Sequence, residues 1–121
     1  NQSNDDSTPT PTPTPVPVIE VTAQELLDAY EANEVKADKS YKDQLVNITG
    51  IVDNIGVSLG QTYVVLNDGS DFAITGVQCF FKDDAEIDKV AELNKGDEVT
   101  IQGVIDGYSL NVLVKKCKII D

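Results

Sequence analysis

Val46-Asn47-Ile48-Thr49-Gly50-Ile51-Val52-Asp53 recurs as Val99-Thr100-Ile101-Gln102-Gly103-Val104-Ile105-Asp106, and both stretches read V-x-I-x-G-(I/V)-(I/V)-D. Ahead of each glycine, apolar and polar side chains alternate, which is the period of a strand with one face buried. A glycine in mid-strand weakens a flat strand, so its usual purpose is a bulge or a sharp bend at a barrel corner. Two such strands, one on either side of a short helix, suit a small closed barrel that must coil tightly.

Working outward from these motifs gives the remaining elements. After the first motif, Tyr63 to Leu66 reads as a second strand, ended by the turn Asn67-Asp68-Gly69. Phe72 to Phe81 reads as a third. Asp83 then caps a short helix with Glu86 three positions on, and Ile87, Val90, Ala91 and Leu93 form its apolar side. Gly96 ends that connection. The second motif lies in a fourth strand over 98–106, with Val99, Ile101 and Ile105 on one face, and Gly107-Tyr108 turns into a fifth over 109–120. Upstream of the first motif, Thr22-Ala23-Gln24-Glu25 is a capping box, flanked by Val21 and Leu26 as a hydrophobic staple. The helix it opens carries Leu26, Leu27 and Tyr30 on one stripe that continues weakly through Ala37.

The 121-residue chain is long enough for one such domain and not two. All five prolines fall between Pro9 and Pro17, so composition marks a boundary at Val18: residues 1–17 as a disordered Thr/Pro-rich linker, residues 18–121 as the folded domain. Alternating Pro and Thr favour extended polyproline II, a semi-rigid spacer suited to a stalk that lifts a domain off a membrane or wall. No stretch approaches the ~20 apolar residues of a membrane span. With no methionine in the chain, any signal segment or lipid-bearing cysteine is expected upstream of Asn1.

Net charge is −12, and only Asp5 and Asp6 of the acidic residues lie in the tail. So acidic a domain repels nucleic-acid backbone and anionic membrane alike. His, Arg, Trp and Met are absent. That removes the imidazole base and metal ligand and the bidentate guanidinium clamp. The chain is accordingly read as non-catalytic, with no cofactor. The acidic stretches Asn67-Asp68-Gly69-Ser70-Asp71 and Asp83-Asp84 with Glu86 and Asp88 lack the spacing of a calcium loop, so no metal site is assigned. Asn47-Ile48-Thr49 matches a glycosylation sequon but sits inside a strand.

Five strands with a helix between the third and fourth, and V-x-I-x-G on strands one and four, resemble the OB-fold. More narrowly, the helix ELLDAYEANEVKAD with Tyr41, the run GVQCFF and the end LNVLVKKCKIID resemble the tRNA_anti-like family of bacterial OB-fold proteins, many of them predicted lipoproteins. The resemblance implies a mainly β, five-stranded Greek-key barrel with an additional N-terminal helix, held outside the cytoplasm at the cell surface or secreted. It implies that strands three and five are neighbours, which brings Cys79 near Cys117. A disulfide between them is one reading, and two buried thiols acting as small apolar fillers the other.

Ligands of this fold lie across strands two and three, between the loops joining strands one–two and four–five. That surface offers Tyr63, Phe72, Phe80 and, in the four–five loop, Tyr108, with Lys115, Lys116 and Lys118 as the one basic cluster. The competing readings are that Phe72 and Phe80 are core and that the lysines guard an edge strand. On balance the sequence points to a binding module of the bacterial envelope with a protein, peptide or glycan partner. Single-stranded nucleic acid comes second because of the charge, and a purely structural domain third.

Overall fold

A computed structural model describes residues 17–69 and 75–120. The linker assigned to residues 1–17, Pro17 excepted, therefore lies outside the described residues, as does Phe72. The chain runs β1 (Ile19–Thr22), α1 (Ala23–Ala32), α2 (Glu34–Tyr41), β2 (Leu45–Ser58), β3 (Gln61–Asn67), β4 (Val77–Phe81), α3 (Asp84–Val90), β5 (Glu98–Ser109) and β6 (Asn111–Ile119). The five strands expected from the sequence are β2 to β6. They pair in the order β2-β3-β4-β6-β5, and β2 pairs again with β5, so the sheet closes on itself. This is the Greek-key barrel that the resemblance implies.

The capping box forms as written. Thr22 Oγ1 accepts from the Glu25 N–H at 3.1 Å, and Glu25 Oε1 accepts from the Thr22 N–H at 2.9 Å. The single helix expected after it is instead two, because Asn33 adopts an extended conformation between them. Its own N–H bonds back to the Ala29 carbonyl at 3.1 Å, closing α1. Its side-chain oxygen accepts from the Lys36 N–H at 3.1 Å, opening α2. One short polar side chain thus ends one helix and starts the next.

The strand alternation is also realised. Val46, Ile48 and Val52 of β2 and Val99, Ile101 and Ile105 of β5 point into the core, where they meet Val64, Leu66, Val77, Phe81, Val112 and Val114. Leu26, Leu27 and Tyr30 of α1 complete this core. On the outer surface, Asn47 links β1 to β5, donating to Glu20 Oε2 at 2.7 Å and accepting from Gln102 Nε2 at 3.0 Å. That amide is thus engaged within the sheet, in line with a sequon that is coincidental.

β1 was not expected: its four residues run parallel to Val46–Thr49 and lay an extra strand beside the first half of β2. Other boundaries move as well. The described part of the third strand begins at Val77, and the Phe72 end of the expected strand lies outside the described residues. Gly107 and Tyr108 are the end of β5 and not a turn, because a register shift between Ile105 and Gly107 absorbs the glycine as a bulge. The reversal falls at Leu110, with φ of 64°.

The repeated glycines are sites of close approach. A Cβ on Gly50 would lie 2.9 Å from the Cβ of Ala23 and 3.1 Å from that of Leu66, so the start of α1 could not reach β2. A Cβ on Gly103 would lie 2.6 Å from Val114 Cγ1 and 2.9 Å from Cys117 Sγ. Gly103 faces a second irregularity, where β5 steps from Gln102 to Val104 while β6 steps from Lys118 to Lys115. The additional residue on β6 is accommodated by Lys116 at φ of 56°.

Two substitutions should move stability in opposite directions. Gly103→Ala should lower the urea midpoint by the equivalent of roughly 1–3 kcal/mol, the usual cost of overpacking. The β2–β3 hairpin turns through Leu59 (φ 51°) and Gly60 (φ 80°), the signature of a type I′ turn. Leu59→Asn, the residue such a turn prefers, should raise the midpoint by about 1 kcal/mol at unchanged slope.

Candidate functional site

On the outer face of the barrel, Tyr63 of β3 stands directly across from Phe80 of β4. Their rings meet edge to face, with centroids 6.3 Å apart at 61°. Inward neighbours Val64, Cys79 and Phe81 are fully buried, which leaves Tyr63 and Phe80 half-buried on the other side. Of the two adjacent phenylalanines in GVQCFF, it is Phe81 that fills the core, so the core reading of Phe80 is corrected. The strand pleat decides this, since successive side chains face opposite ways.

Parallel pairing of β4 with β6 carries this surface toward the lysines. Cys79 is opposite Val114, which brings the residues that follow, Phe80 and Lys115, side by side. A cleft of about 280 Å³ opens there, lined by Gln61, Phe80, Lys82, Asp106, Lys115 and Lys116. Lys115 Nζ is 3.3 Å from Asp106 Oδ1, an exposed pair of little energetic weight. A second cleft, of about 310 Å³, is lined by Lys82, Asp83, Glu86, Lys116, Cys117 and Lys118. The two share Lys82 and Lys116 and so form one continuous surface.

The structure therefore gathers Tyr63, Phe80, Lys115, Lys116 and Lys118 on one surface. Lys82 joins them, a residue that sequence reasoning missed because it stands alone between GVQCFF and the α3 cap. Its signal was position, one residue past the strand that carries Phe80. Tyr108 is not among the cleft residues. It lies in β5 instead of the expected loop and stacks on Tyr30 of α1, with centroids 5.4 Å apart and planes at 19°. Tyr30 in turn donates to Asp38 Oδ1 at 2.9 Å, joining α1, α2 and β5. Burial and the Asp38 carboxylate both push the Tyr30 hydroxyl well above its ordinary pKa, so it stays a donor.

Pairing of β6 with β4 stops at Val114, and beyond it α3 packs on the strand. Glu86 does not reach back to cap its helix. Its Oε1 accepts from the Ile119 N–H at 2.7 Å, and its Oε2 accepts from Lys89 Nζ at 3.0 Å. Cys79 and Cys117 are both buried and unbridged. Each thiol donates to a carbonyl of its own strand, Cys79 to Val77 at 3.9 Å and Cys117 to Val114 at 3.5 Å.

Two rings offering faces and edges, ammonium groups beside them and open clefts can hold a planar, anionic ligand reversibly. Among the described residues, no group of three or more Cys, Asp and Glu side chains is placed to hold a metal ion.

The tRNA_anti-like family model matches residues 1–118. No curated protein matches the sequence. Among solved structures, a candidate nucleic acid-binding lipoprotein from Klebsiella pneumoniae subsp. pneumoniae superposes with a TM-score of 0.65, at 20% identity over 83% of this chain and 91% of that one. OBody AM3L09, solved bound to hen egg-white lysozyme, gives 0.53 at 18% identity over 68% and 86%. Asparaginyl-tRNA synthetase from Pyrococcus horikoshii gives 0.50 at 16% identity, covering 68% of this chain and 20% of the enzyme. At these identities the likeness is one of fold.

Glu86 yields a pH prediction. The Ile119 N–H and then the Lys89 ammonium hold its carboxyl below the usual carboxylate range. A depressed folded-state pKa contributes stability above the unfolded pKa and loses it as pH falls through the folded one. Glu86→Gln should therefore lower the urea midpoint at pH 7, and the gap from the parent should narrow as pH falls below about 4 and close only below the depressed folded-state pKa, where both side chains are neutral.

Proposed function

The chain belongs to the tRNA_anti-like family of OB-fold domains, and on that premise we propose a non-catalytic binding module of the bacterial envelope whose outer β3–β4–β6 face takes single-stranded nucleic acid. The observation that carries this reading is the Tyr63–Phe80 pair with Lys82, Lys115 and Lys116 around the adjoining cleft. Bases stack on such rings whatever their identity, and the ammonium groups follow the backbone. Net charge argued for a protein, peptide or glycan. Four of the nine lysines, however, line the clefts beside the rings, together with Asp83, Glu86 and Asp106, and binding responds to the local potential as well as to the total. The acidic remainder of the surface makes the interaction weak and strongly salt-dependent.

The envelope location is supported by the Thr/Pro-rich start of the chain and by the lipoprotein description of the Klebsiella structure. A second reading rests on a separate observation. The β2–β3 hairpin exposes Val57 and Leu59, and the β5–β6 turn exposes Leu110. Apolar tips on these two loops suit a protein partner, and the lysozyme-bound OBody is an instance of this fold used for that purpose.

Fluorescence anisotropy of labelled DNA and RNA single strands, at low and then physiological salt, tests the first reading. Saturable binding is expected at low salt. Tyr63→Ala and Phe80→Ala should each weaken it by about 1–3 kcal/mol, and Lys116→Gln should reduce the salt slope by about 0.7. If no binding is seen at low salt, the nucleic-acid reading is wrong. Leu59→Asn with Leu110→Asn then becomes the variant that tests capture of envelope proteins.

A further inference from the structure

We propose that Cys79 and Cys117 are a redox pair that closes into an intramolecular disulfide, tying β4 to the bulge of β6 that carries the ligand-facing lysines. This is independent of what the outer face binds.

The placement of Cys117 is what needs explaining. Val112 and Val114 point inward, so an uninterrupted strand would bury position 116 and turn position 117 to solvent. The bulge reverses this: Lys116 takes a left-handed conformation and is exposed, while Cys117 is buried. Across the barrel wall the strand opposite supplies Gly103, and any side chain there would collide with Cys117 Sγ. On the other side, Cys79 stands in register with Val114, the residue whose carbonyl accepts from the Cys117 thiol at 3.5 Å. Both side chains thus converge at Val114. A small apolar filler would need none of this, since an alanine at position 116 of a regular strand fills the same space without a left-handed residue.

The chemistry is thiol–disulfide exchange with a small-molecule disulfide such as oxidised glutathione. Cys117 borders the cleft with Lys82, Lys116 and Lys118, through which a carboxylate-bearing disulfide can approach. Cys79 is fully buried, and the neighbouring Cys117 thiol together with burial pushes its pKa up, so it is not the first to react. The Cys117 thiolate attacks one sulfur of the oxidant, forming a mixed disulfide and expelling the first glutathione thiolate. The Cys79 sulfur, giving up its proton, then attacks Cys117 Sγ, forming the internal bond and expelling the second. The protein loses two electrons and two protons, and the oxidant leaves as two thiols.

The test is to equilibrate the folded chain with oxidised glutathione and measure its intact mass after acid quench. A mass lower by two hydrogens is expected, with residues 79 and 117 cross-linked in the proteolytic map. A melting temperature raised on the order of 10 °C, and returned by dithiothreitol, should accompany it. Cys79→Ser should stop at a single glutathione adduct on Cys117, and Cys117→Ser should leave Cys79 unmodified. The proposal is overturned if the native parent keeps two free thiols, if it ends as a glutathione adduct on either cysteine, or if the bridge forms only in denaturant.

Discussion

Everything in this domain hangs on β2 serving two partners in succession. Its first half, from Leu45 to Ile51, pairs with β5, and its second half, from Ile51 to Ser58, pairs with β3. A strand can change partner only by bending. The bend follows Gly50, where α1 and β3 press against the backbone, and runs through the register shift between Val52 and Asn54. Because β2 bends, the sheet curls far enough for β5 to return to it, and β4 and β6 meet in parallel on the opposite side. The interior then becomes a single apolar cluster into which α1 docks through Leu26, Leu27 and Tyr30.

The same closure builds the proposed binding face. Tyr63 and Phe80 are brought together by antiparallel pairing, Lys115 joins them through the parallel β4–β6 ladder, and Lys116 turns outward only because β6 bulges. None of these contacts is local in sequence.

What could be read from the sequence divides along the same line. The Thr22–Glu25 box, the Asp83 cap and the alternation of Val46, Ile48 and Val52 depend on residues a few positions apart, and they formed as expected. The fold class followed from the two V-x-I-x-G stretches, because a glycine repeated at matched positions reports a shared bend. Asn33 is not legible as a break because the apolar stripe runs across it, and a periodicity carries no sign of a side chain able to cap in both directions. β1 is four residues long, too short for a period to show, and is held in place by β2. Tyr108 reads as a turn residue because Gly107 precedes it, whereas that glycine serves a bulge. Whether Phe80 or Phe81 faces inward depends on a register that composition does not contain. Lys82 joins the candidate site only through the pairing of β4 with β6, which no local pattern encodes.

The long-range character of the closing pairs also governs how the chain reaches this state. β2 meets β5 across a separation of about half the chain, since Leu45 is opposite Val104. Loop-closure entropy for that contact is lost before the barrel interior returns any burial. The hairpin between β2 and β3 can form early, but its turn places a leucine in a left-handed conformation, so even the most local step starts uphill. Such a domain belongs with the barrels that fold in milliseconds to seconds and not with the helical bundles that fold in microseconds. During that interval the exposed edges of β3 and β4 are open to pairing with other chains. The high negative charge then acts on kinetics as well as on solubility, keeping unfinished barrels apart until β5 arrives.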